Sequence, residues 1–297
     1  RKAGITKPIT VMNPEMHALR TLFAYNLQPE VYSFRLFDAL VREARSEGVT
    51  DFPIHIKLDT GMHRLGFDVD KDMTELVRSM RKQKALLPIS VFSHFVGADD
   101  DAFDDFSEIQ YNIFMKGADA LQAAFPHHIL RHICNSAAIE HFPQRQLDMV
   151  RLGLGLYGIN PRGNALIHPV SQLTTTILQI HELDEGETVG YGRHTTLERK
   201  SRIAAIPIGY ADGLNRRLGN RKGYCIVNGR RADYVGNICM DVAMIDVTDI
   251  RCKEGDRAVI FGSDRIPVTA LSEALGTIPY EILTSVSNRV QRIYFRE

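Results

Sequence analysis

The 297-residue sequence has no excess of charge of either sign, because 36 Lys and Arg residues balance 36 Asp and Glu residues. It therefore lacks the long-range field that recruits nucleic acid or an anionic membrane, and a small, locally recognised ligand is favoured. No apolar run approaches the roughly 20 residues that a membrane helix needs. Low-complexity segments are absent as well, and the 44% apolar content is that of a globular protein that can bury a sizeable core.

Cysteine is scarce, and the sequence has no CxxC pair. Its four cysteines are Cys134, Cys225, Cys239 and Cys252. Widely spaced cysteines in a chain without a secretory segment are expected to remain thiols. The composition therefore predicts a cytoplasmic protein.

An initiator methionine is also lacking, and RKAGITKPITVMNP is typical of a helix end, a glycine turn and a short strand. From there to about residue 165, strand-like and helix-like runs alternate, which implies a parallel sheet with crossover helices. The predicted strands are residues 9–12, 31–34, 54–58, 89–95, 130–134 and 149–153. The clearest predicted helices are residues 36–48, 73–83 and 106–125.

Six strands are two fewer than the eight that close a (β/α)8 TIM barrel. We therefore expect residues 1–167 to form a barrel domain whose first two βα units are missing; an open doubly wound sheet is the alternative. Residues 168–297 carry short β-branched runs between Gly, Asn and Asp turns, which predict a mostly β second domain. Its predicted strands are residues 173–183, 202–208, 224–227, 233–238, 242–247 and 257–261. One helix is expected at 268–275, with Thr269 as N-cap and Gly276 past its end.

The stretch HIKLDTGMHRLG, residues 55–66, is the most informative part of the chain. Apolar residues at 54, 56 and 58 alternate with His55 and Lys57, which is the pattern of a strand with one apolar side. Catalytic groups of α/β barrels collect where such strands end. Arg64 is then a candidate for gripping a substrate carboxylate, since a guanidinium fork matches two oxygens at once. An ordinary Arg in a surface turn is the alternative.

Nine motifs in order extend this stretch over essentially the whole chain. They are KLDTGMHRLG (57–66), SHF (93–95), HICNSAA (132–138), MVRLGLGLYG (149–158), VGYG (189–192), IPIGYADG (206–213), GNICMD (236–241), PYE (279–281) and SNRVQRIYFR (287–296). With them the sequence resembles the alanine racemase family. The resemblance implies pyridoxal 5′-phosphate as cofactor, L-alanine and D-alanine as substrates, D-alanine supply for peptidoglycan, and a homodimer with shared active sites.

The resemblance assigns cofactor contacts to residues of the barrel. Arg151 would face the pyridine nitrogen and keep it unprotonated, which weakens the ring as an electron sink and suits a racemase. His132 would support Arg151 from the neighbouring strand. On the residues alone, a salt-bridged core Arg and a hydrogen-bonded structural His remain open.

The phosphate group has its own implied ligands. Ser136 resembles the family's phosphate ligand, joined by backbone amides near Gly153 and Leu154 and by the hydroxyl of Tyr280. A helix N-cap is the alternative for Ser136, and the two roles are compatible.

The resemblance makes Tyr191 one catalytic base, acting across the dimer interface. A tyrosine normally titrates near 10, and His94 is implied as the hydrogen-bonded neighbour that helps it. Turn packing is the alternative for a tyrosine between glycines. Tyr210 would line substrate entry, and Met240 and Asp241 would approach the substrate from the partner subunit.

Racemisation needs a proton removed from one face of the α-carbon and delivered to the other, so two bases are the simple solution. The second base of the family is the Schiff-base lysine in a segment like VKANAYGHG, which this sequence does not contain. We therefore expect an incomplete subunit that is inactive without that lysine. The resemblance also makes Lys57 a candidate for carbamylation; an unmodified Lys57 paired with Asp59 or another acid is the alternative.

Two other classes of function remain open. One is a related pyridoxal-phosphate enzyme on this scaffold: a broad-specificity or serine racemase or, more remotely, a decarboxylase, of whose cysteine motif Cys239 is a weak echo. The other is a non-catalytic domain of a larger polypeptide. Retention of Tyr191, Arg64 and Arg151 together argues against a decayed site. Serine differs from alanine by one hydroxyl, which a pocket built for a methyl group rejects only weakly.

Overall fold

The computed structural model describes residues 1–163 and 167–295. The chain divides into two compact units. Unit 1 comprises Arg1–Leu156 and Asn160–Leu166, and unit 2 comprises Tyr157–Ile159 and Ile167–Glu297. Among the described residues, no helix is both long enough and apolar enough to cross a membrane.

Unit 1 is built on a sheet of parallel strands. They are β1 (Thr10–Val11), β2 (Gln28–Val31), β3 (Phe52–Asp59), β4 (Phe67–Asp68), β5 (Leu86–Phe92) and β6 (Leu130–His132). They lie in the order β1, β2, β3, β5, β6, and β4 pairs with the end of β3. The pairings are parallel, as the alternation of strands and helices predicts.

The helices of unit 1 connect these strands. They are α1 (Leu19–Ala24), α2 (Phe34–Ser46), α3 (Met73–Arg81), α4 (Asp104–Ala123) and α5 (Ser136–His141). Helix α2 begins at Ser33, whose hydroxyl oxygen accepts the backbone N–H of Leu36 at 3.3 Å. Its apolar face contributes Leu36 and Leu40, exposed by 1% and 0%, to the core shared with the sheet.

Two of the six strand predictions are wrong in unit 1. Residues 149–153 form no strand, because Asp148 and Arg151 donate only isolated backbone hydrogen bonds, to Arg131 and Cys134 (3.2 and 3.0 Å). The strand expected at 31–34 is Gln28–Val31 instead, and the chain turns at Ser33 into α2. The other four strands are confirmed, with ends displaced by three residues or fewer.

Unit 2 is mostly antiparallel β-structure, as predicted. Its strands are β7 (Leu173–Thr176), β8 (Gln179–Leu183), β9 (Thr188–Val189), β10 (Thr195–Thr196), β11 (Ser201–Ile206), β12 (Tyr224–Val227), β13 (Arg230–Val235), β14 (Ala243–Asp246) and β15 (Arg257–Phe261). Seven form one sheet in the order β7, β15, β12, β13, β14, β11, β8, and β9 pairs with β10. Helices α6 (Val268–Leu275) and α7 (Pro279–Ser285) follow.

Two predictions for unit 2 need correction. The single strand expected at 173–183 is two strands, because the chain changes partner: the backbone N–H of Ile177 bonds to Asp256, and that of Leu178 bonds to Ala205. Helix α6 has the expected bounds and ends at Gly276 in the left-handed conformation (φ 67°). Its N-cap is Pro267 rather than Thr269, which lies inside the helix.

Candidate active site

One face of β3 carries polar side chains that unit 1 buries. His55 and Lys57 are only 5% and 4% exposed, and the apolar face, with Ile54 and Ile56, is fully buried. The predicted alternation is confirmed, and both faces are covered, as is usual for a parallel sheet. Polar groups in such a place must find partners, since an unpaired buried polar group is costly.

Arg151 is the centre of this polar face. Its Nη1 donates to His132 Nδ1 at 2.6 Å and to the His132 carbonyl oxygen at 3.2 Å. Its Nη2 donates to the carbonyl oxygens of Ser93 (2.5 Å) and Ile133 (3.1 Å) and to His94 Nδ1 (3.2 Å). Among the described residues, no carboxylate forms a salt bridge with this guanidinium. It is a partly buried cation held by neutral acceptors.

The electrostatics of the site follow from that cation. Burial and then the charge of Arg151 lower the pKa of His94 to about 4 and that of His132 to about 3. Burial also lowers the pKa of Arg151, to about 10, which leaves it charged at neutral pH. A charged guanidinium therefore lies between two neutral imidazoles.

A second series of hydrogen bonds runs from His132 across the sheet. His132 Nε2 lies 3.2 Å from Ser90 Oγ, which lies 2.6 Å from His55 Nδ1. His55 Nε2 lies 3.1 Å from both Gln28 Oε1 and Thr10 Oγ1. No sequence motif includes Ser90, Gln28 or Thr10, because their shared role comes from the register between strands and not from any local pattern.

Lys57 forms an ion pair that the sequence did not identify. Its Nζ lies 3.4 Å from Glu30 Oε2, and the two side chains are 6% and 0% exposed. Glu30 Oε1 also accepts the backbone N–H of Asn13 at 2.9 Å. Asp59, the partner suggested by proximity in sequence, pairs with His63 instead. No local sequence signal pointed to Glu30, because the strand Gln28–Val31 is buried at all four residues yet lacks an apolar pattern.

The loop after β3 presents Arg64 at the surface. Asp59 Oδ1 accepts the backbone N–H groups of Gly61 and His63, each at 3.0 Å, and this closes the turn. Gly66 (φ 137°) lies so close to the strand that an added Cβ would be 2.4 Å from the Asp59 nitrogen. Arg64 is exposed, yet its charge helps to lower the pKa of His94.

Ser136 lies where several backbone donors converge. Its Oγ accepts the backbone N–H groups of Gly153 (2.9 Å) and Gly155 (3.2 Å). The N-cap of α5 is Asn135, whose Oδ1 accepts the Ala138 N–H, so the N-cap alternative for Ser136 is wrong. Leu154, expected near this point through its amide, begins a short 3-10 helix, Leu154–Tyr157.

The remaining predicted residues belong to unit 2 and lie mostly on turns. Tyr191 is 73% exposed between Gly190 (φ 77°) and Gly192 (φ 74°), and its carbonyl oxygen accepts the Asn237 amide at 2.9 Å. Tyr280 is 41% exposed on α7.

Tyr210 and the segment Met240–Asp241 are brought together within unit 2. The backbone N–H of Tyr210 donates to Cys239 (3.1 Å), and that of Ala211 donates to Met240 (3.0 Å). Asp241 forms an ion pair with Arg289. Tyr210 and Met240 are 44% and 54% exposed.

Comparison with known proteins gives a consistent result. The family profile "Alanine racemase, N-terminal domain" matches residues 1–161, and "Alanine racemase, C-terminal domain" matches residues 170–294. An alanine racemase of Clostridium tetani is 37% identical over 308 aligned positions, which cover 100% of this chain and 79% of that protein.

Solved structures agree. An alanine racemase of Clostridium difficile 630 aligns with a TM-score of 0.92 and 32% identity, covering 99% of this chain and 78% of the other. An alanine racemase of Bartonella henselae with covalently bound pyridoxal phosphate aligns with a TM-score of 0.88 and 29% identity, covering 99% and 81%.

Proposed function

The chain belongs to the alanine racemase family, and from this we propose that the polar face around Arg151 is the cofactor side of a racemase active site. The family has an N-terminal α/β barrel domain and a C-terminal β domain, and its enzymes are isomerases that interconvert L-alanine and D-alanine with pyridoxal phosphate. D-alanine supply for peptidoglycan is the usual role. The observation that carries the proposal is a partly buried guanidinium without a carboxylate partner among the described residues.

The polar groups of unit 1 suit such a cofactor. When bound, its ring draws electron density from the α-carbon of an attached amino acid, so that the α-proton becomes acidic. Arg151 would donate to the ring nitrogen and keep it unprotonated, because a guanidinium does not give up its proton near neutral pH. Ser136 and the backbone amides near Gly153 and Leu154 would bind the phosphate; in the structure the Gly153 N–H donates to Ser136 Oγ at 2.9 Å, which brings these groups to one point.

The titration that tests the phosphate ligands compares pyridoxal 5′-phosphate with pyridoxal, on wild type and Ser136→Ala, by absorbance. Wild type should bind the phosphorylated form much more tightly, and the variant should lose most of that preference. Ser107→Ala is a matched control, since Ser107 is a buried serine whose hydroxyl has no partner among the described residues. Equal preference in wild type and Ser136→Ala would count against the phosphate role.

Proton transfer needs a base on each face of the substrate, and we propose Tyr191 as one of them. His94 would be the hydrogen-bonded neighbour of this tyrosine; its Nδ1 accepts from Arg151 at 3.2 Å, and its Nε2 lies 3.4 Å from the side-chain nitrogen of Asn135. Arg64 would bind the substrate carboxylate. Tyr210, Met240 and Asp241 would line the substrate side.

We propose that the active site is shared between the subunits of a homodimer. The high exposure of Tyr191 is consistent with a side chain that acts outside its own unit. Mixing subunits that carry Tyr191→Phe with subunits that carry Arg64→Ala tests this arrangement. If each site takes Tyr191 from one subunit and Arg64 from the other, half of the randomly mixed dimers have one intact site, and about a quarter of wild-type activity returns. No recovery would mean that both residues act within one subunit.

The lysine that holds the cofactor is a separate proposal. Nine of the ten lysines are exposed, and the tenth, Lys57, is paired with Glu30. We propose that none of these ten lysines is the cofactor lysine, in keeping with the absence of a VKANAYGHG-like segment. Borohydride reduction with bound cofactor, followed by peptide mapping, tests it. A stoichiometric label on any of the ten would overturn the proposal and require a mechanism built around that residue.

Carbamylation of Lys57 stays a prediction, and the Glu30 contact supports the alternative of an ion pair with another acid. A carbamate on Lys57 would carry a negative charge and lie against the carboxylate of Glu30, which is 3.4 Å from Nζ. Native intact-mass measurement and a 13C spectrum under labelled bicarbonate distinguish the two states. A mass increase of one CO2 with a carbamate resonance that Lys57→Arg abolishes would establish carbamylation. An unchanged mass would support the ion pair.

Since the proposal leaves the cofactor lysine outside these ten, every activity test, the subunit mixing included, uses the enzyme complete with that lysine; the racemase assay measures conversion of L-alanine and, separately, of L-serine. We expect alanine to be the better substrate, and a clear preference for serine would favour the broad-specificity alternative.

A further inference from the structure

We propose that Ser90 and His55 are positioning residues that fix the tautomer of His132 and, through it, the orientation of the Arg151 guanidinium. They belong to a hydrogen-bond relay that consists of Arg151, His132, Ser90, His55 and Gln28. Its bearing on the reaction rests on the proposed contact between Arg151 and the cofactor. The proton positions within the relay do not depend on that contact.

The Arg151 end of the relay determines its direction. Arg151 Nη1 can only donate, because a guanidinium has no lone pair to offer. At 2.6 Å, His132 Nδ1 must therefore be the acceptor and carry no proton. The single proton of the neutral imidazole is then on Nε2. Stacking of the His132 ring on Phe92, with centroids 4.9 Å apart and planes 2° from parallel, holds the ring in this position.

In the middle of the relay, Ser90 makes the tautomer of His55 depend on that of His132. His132 Nε2–H donates to Ser90 Oγ at 3.2 Å, and the Ser90 hydroxyl proton is then free to be donated onward. Its other neighbour is His55 Nδ1, at 2.6 Å. Donation from Ser90 makes that nitrogen an acceptor and places the His55 proton on Nε2. Ser90 is 0% exposed, so water does not compete for its hydroxyl.

The far end fits the same arrangement. His55 Nε2 lies 3.1 Å from Gln28 Oε1, and an amide oxygen can only accept. The proton that Ser90 directs to His55 Nε2 is therefore donated to Gln28. Thr10 Oγ1, also at 3.1 Å, can accept from the same N–H. Every donor in the relay thus points away from Arg151.

The register of the sheet explains why Ser90 and His55 meet. Ile54 of β3 faces Pro88 of β5, and the next residue of β3, His55, faces Ser90. One residue of β5 therefore has no partner on β3 at this point. This irregularity brings Ser90 directly opposite His55. Proline lacks the N–H that a regular ladder needs, and it tends to occur at such positions.

The relay has a consequence for Arg151. Without an acceptor on Ser90, His132 could carry its proton on Nδ1, where it would face the N–H of Arg151 and repel it. The guanidinium would then lose one of the hydrogen bonds that fix its orientation. Because a bidentate or in-line donor works only in a narrow geometry, a small rotation would weaken its contact with a ring nitrogen.

Selective 15N labelling of histidine tests the proton positions directly. Long-range 1H–15N correlation spectra of the complete protein separate the two neutral tautomers and the charged form, and His132→Gln and His55→Gln assign the signals. We expect both histidines to be neutral at pH 7 with the proton on Nε2. A proton on Nδ1 of either residue would overturn the proposal.

Three serine variants then test the function of the relay. Ser90→Ala should mix the tautomers of His132 and His55 and weaken pyridoxal phosphate binding about tenfold, the effect of one lost hydrogen bond to a buried polar group. Ser90→Thr keeps the hydroxyl and should restore both readouts. Ser107→Ala should change neither. Unchanged histidine signals in Ser90→Ala would overturn the relay, even if that variant is unstable. Mixed tautomers with unchanged cofactor affinity would support the relay and count against the proposed Arg151 contact.

Discussion

The two units support their predicted site residues in opposite ways. In unit 1, Arg151, His132 and Lys57 lie on or beside parallel strands, and each has partners within the unit. In unit 2, Tyr191 and Met240 lie on turns and are 73% and 54% exposed. The first set owes its geometry to its own sheet. The second set needs little from its own sheet and is available to another surface.

The interiors of the two units also differ, in the polarity of the side chains that they bury. The sheet of unit 1 buries His55, Ser90 and His132 in one hydrogen-bonded series. The sheet of unit 2 buries mainly apolar side chains, and the hydroxyl of its fully buried Tyr234 has no partner among the described residues. A hydrogen-bonded polar interior fixes the positions of its side chains but makes the unit sensitive to protonation. An apolar interior has neither property.

Acidification should produce the largest difference between the units. Burial lowers the pKa of His55 to about 4 and that of His132 to about 3, below the unfolded value near 6.5. The unfolded chain therefore binds more protons as pH falls through this window. The part of the unfolding free energy that depends on these histidines being neutral is fully present above pH 6.5 and is lost towards pH 3. At pH 4 each histidine accounts for about 3 kcal/mol of lost unfolding free energy.

Hydrogen–deuterium exchange measured by mass spectrometry, corrected for the intrinsic pH dependence, resolves the two units. Peptides from β3, β5 and β6 should lose protection between pH 6.5 and 4 before peptides from β12 to β14. Simultaneous loss in both units would show that the histidines do not determine acid sensitivity.

Arg151→Met should have the next largest effect. Removal of the guanidinium leaves the carbonyl oxygens of Ser93 and Ile133 and the Nδ1 of His132 without their donor. Buried acceptors left unpaired cost about 1–3 kcal/mol each, so we expect a loss of about 4 kcal/mol in a urea titration. Arg199→Met is the control, because Arg199 forms an exposed ion pair with Asp249. Equal losses in the two variants would contradict a special role for the Arg151 contacts.

Glu30→Gln sharpens the comparison by breaking a buried ion pair. Lys57 would lose its carboxylate partner in a nearly water-free place, which should reduce the unfolding free energy by about 3 kcal/mol. The matched control is Asp70→Asn, whose pair with Lys116 is 72% and 68% exposed and should contribute less than about 1 kcal/mol. A Glu30→Gln loss as small as that of the control would mean that the interior charge is paired in another way.

The sequence predicted the units unequally well, and the reason is physical. Strands β12 and β15 have the expected bounds, because antiparallel strands are short runs between turn residues. Strand β2 was misplaced, because Gln28 and Glu30 are polar yet buried, which hides the strand from any apolar pattern. Residues 149–153 have the apolar pattern of a strand but do not form the backbone hydrogen bonds of one, so a strand was wrongly predicted there.

The residues of the candidate site also differ in how well the sequence could identify them. Arg151, His132 and Ser136 could be named from motifs, and the structure gives each of them contacts within unit 1. Ser90 and Glu30 could not, because their partners come from strands distant in sequence. Their roles depend on a register shift and on a buried pairing, and neither leaves a mark on the local sequence.

Tyr191→Phe should have the smallest effect on stability and so tests the other half of the comparison. The side chain is 73% exposed, and the contact at this residue is made by its carbonyl oxygen, which the substitution keeps. The unfolding free energy should change by less than about 0.5 kcal/mol, while proton transfer in the racemase assay should be largely lost. Tyr210→Phe is the comparison, since it also removes an exposed hydroxyl but leaves the proposed base in place. If Tyr191→Phe lowers stability as much as Glu30→Gln does, Tyr191 is a structural residue of unit 2, and its exposure carries no information about a second subunit.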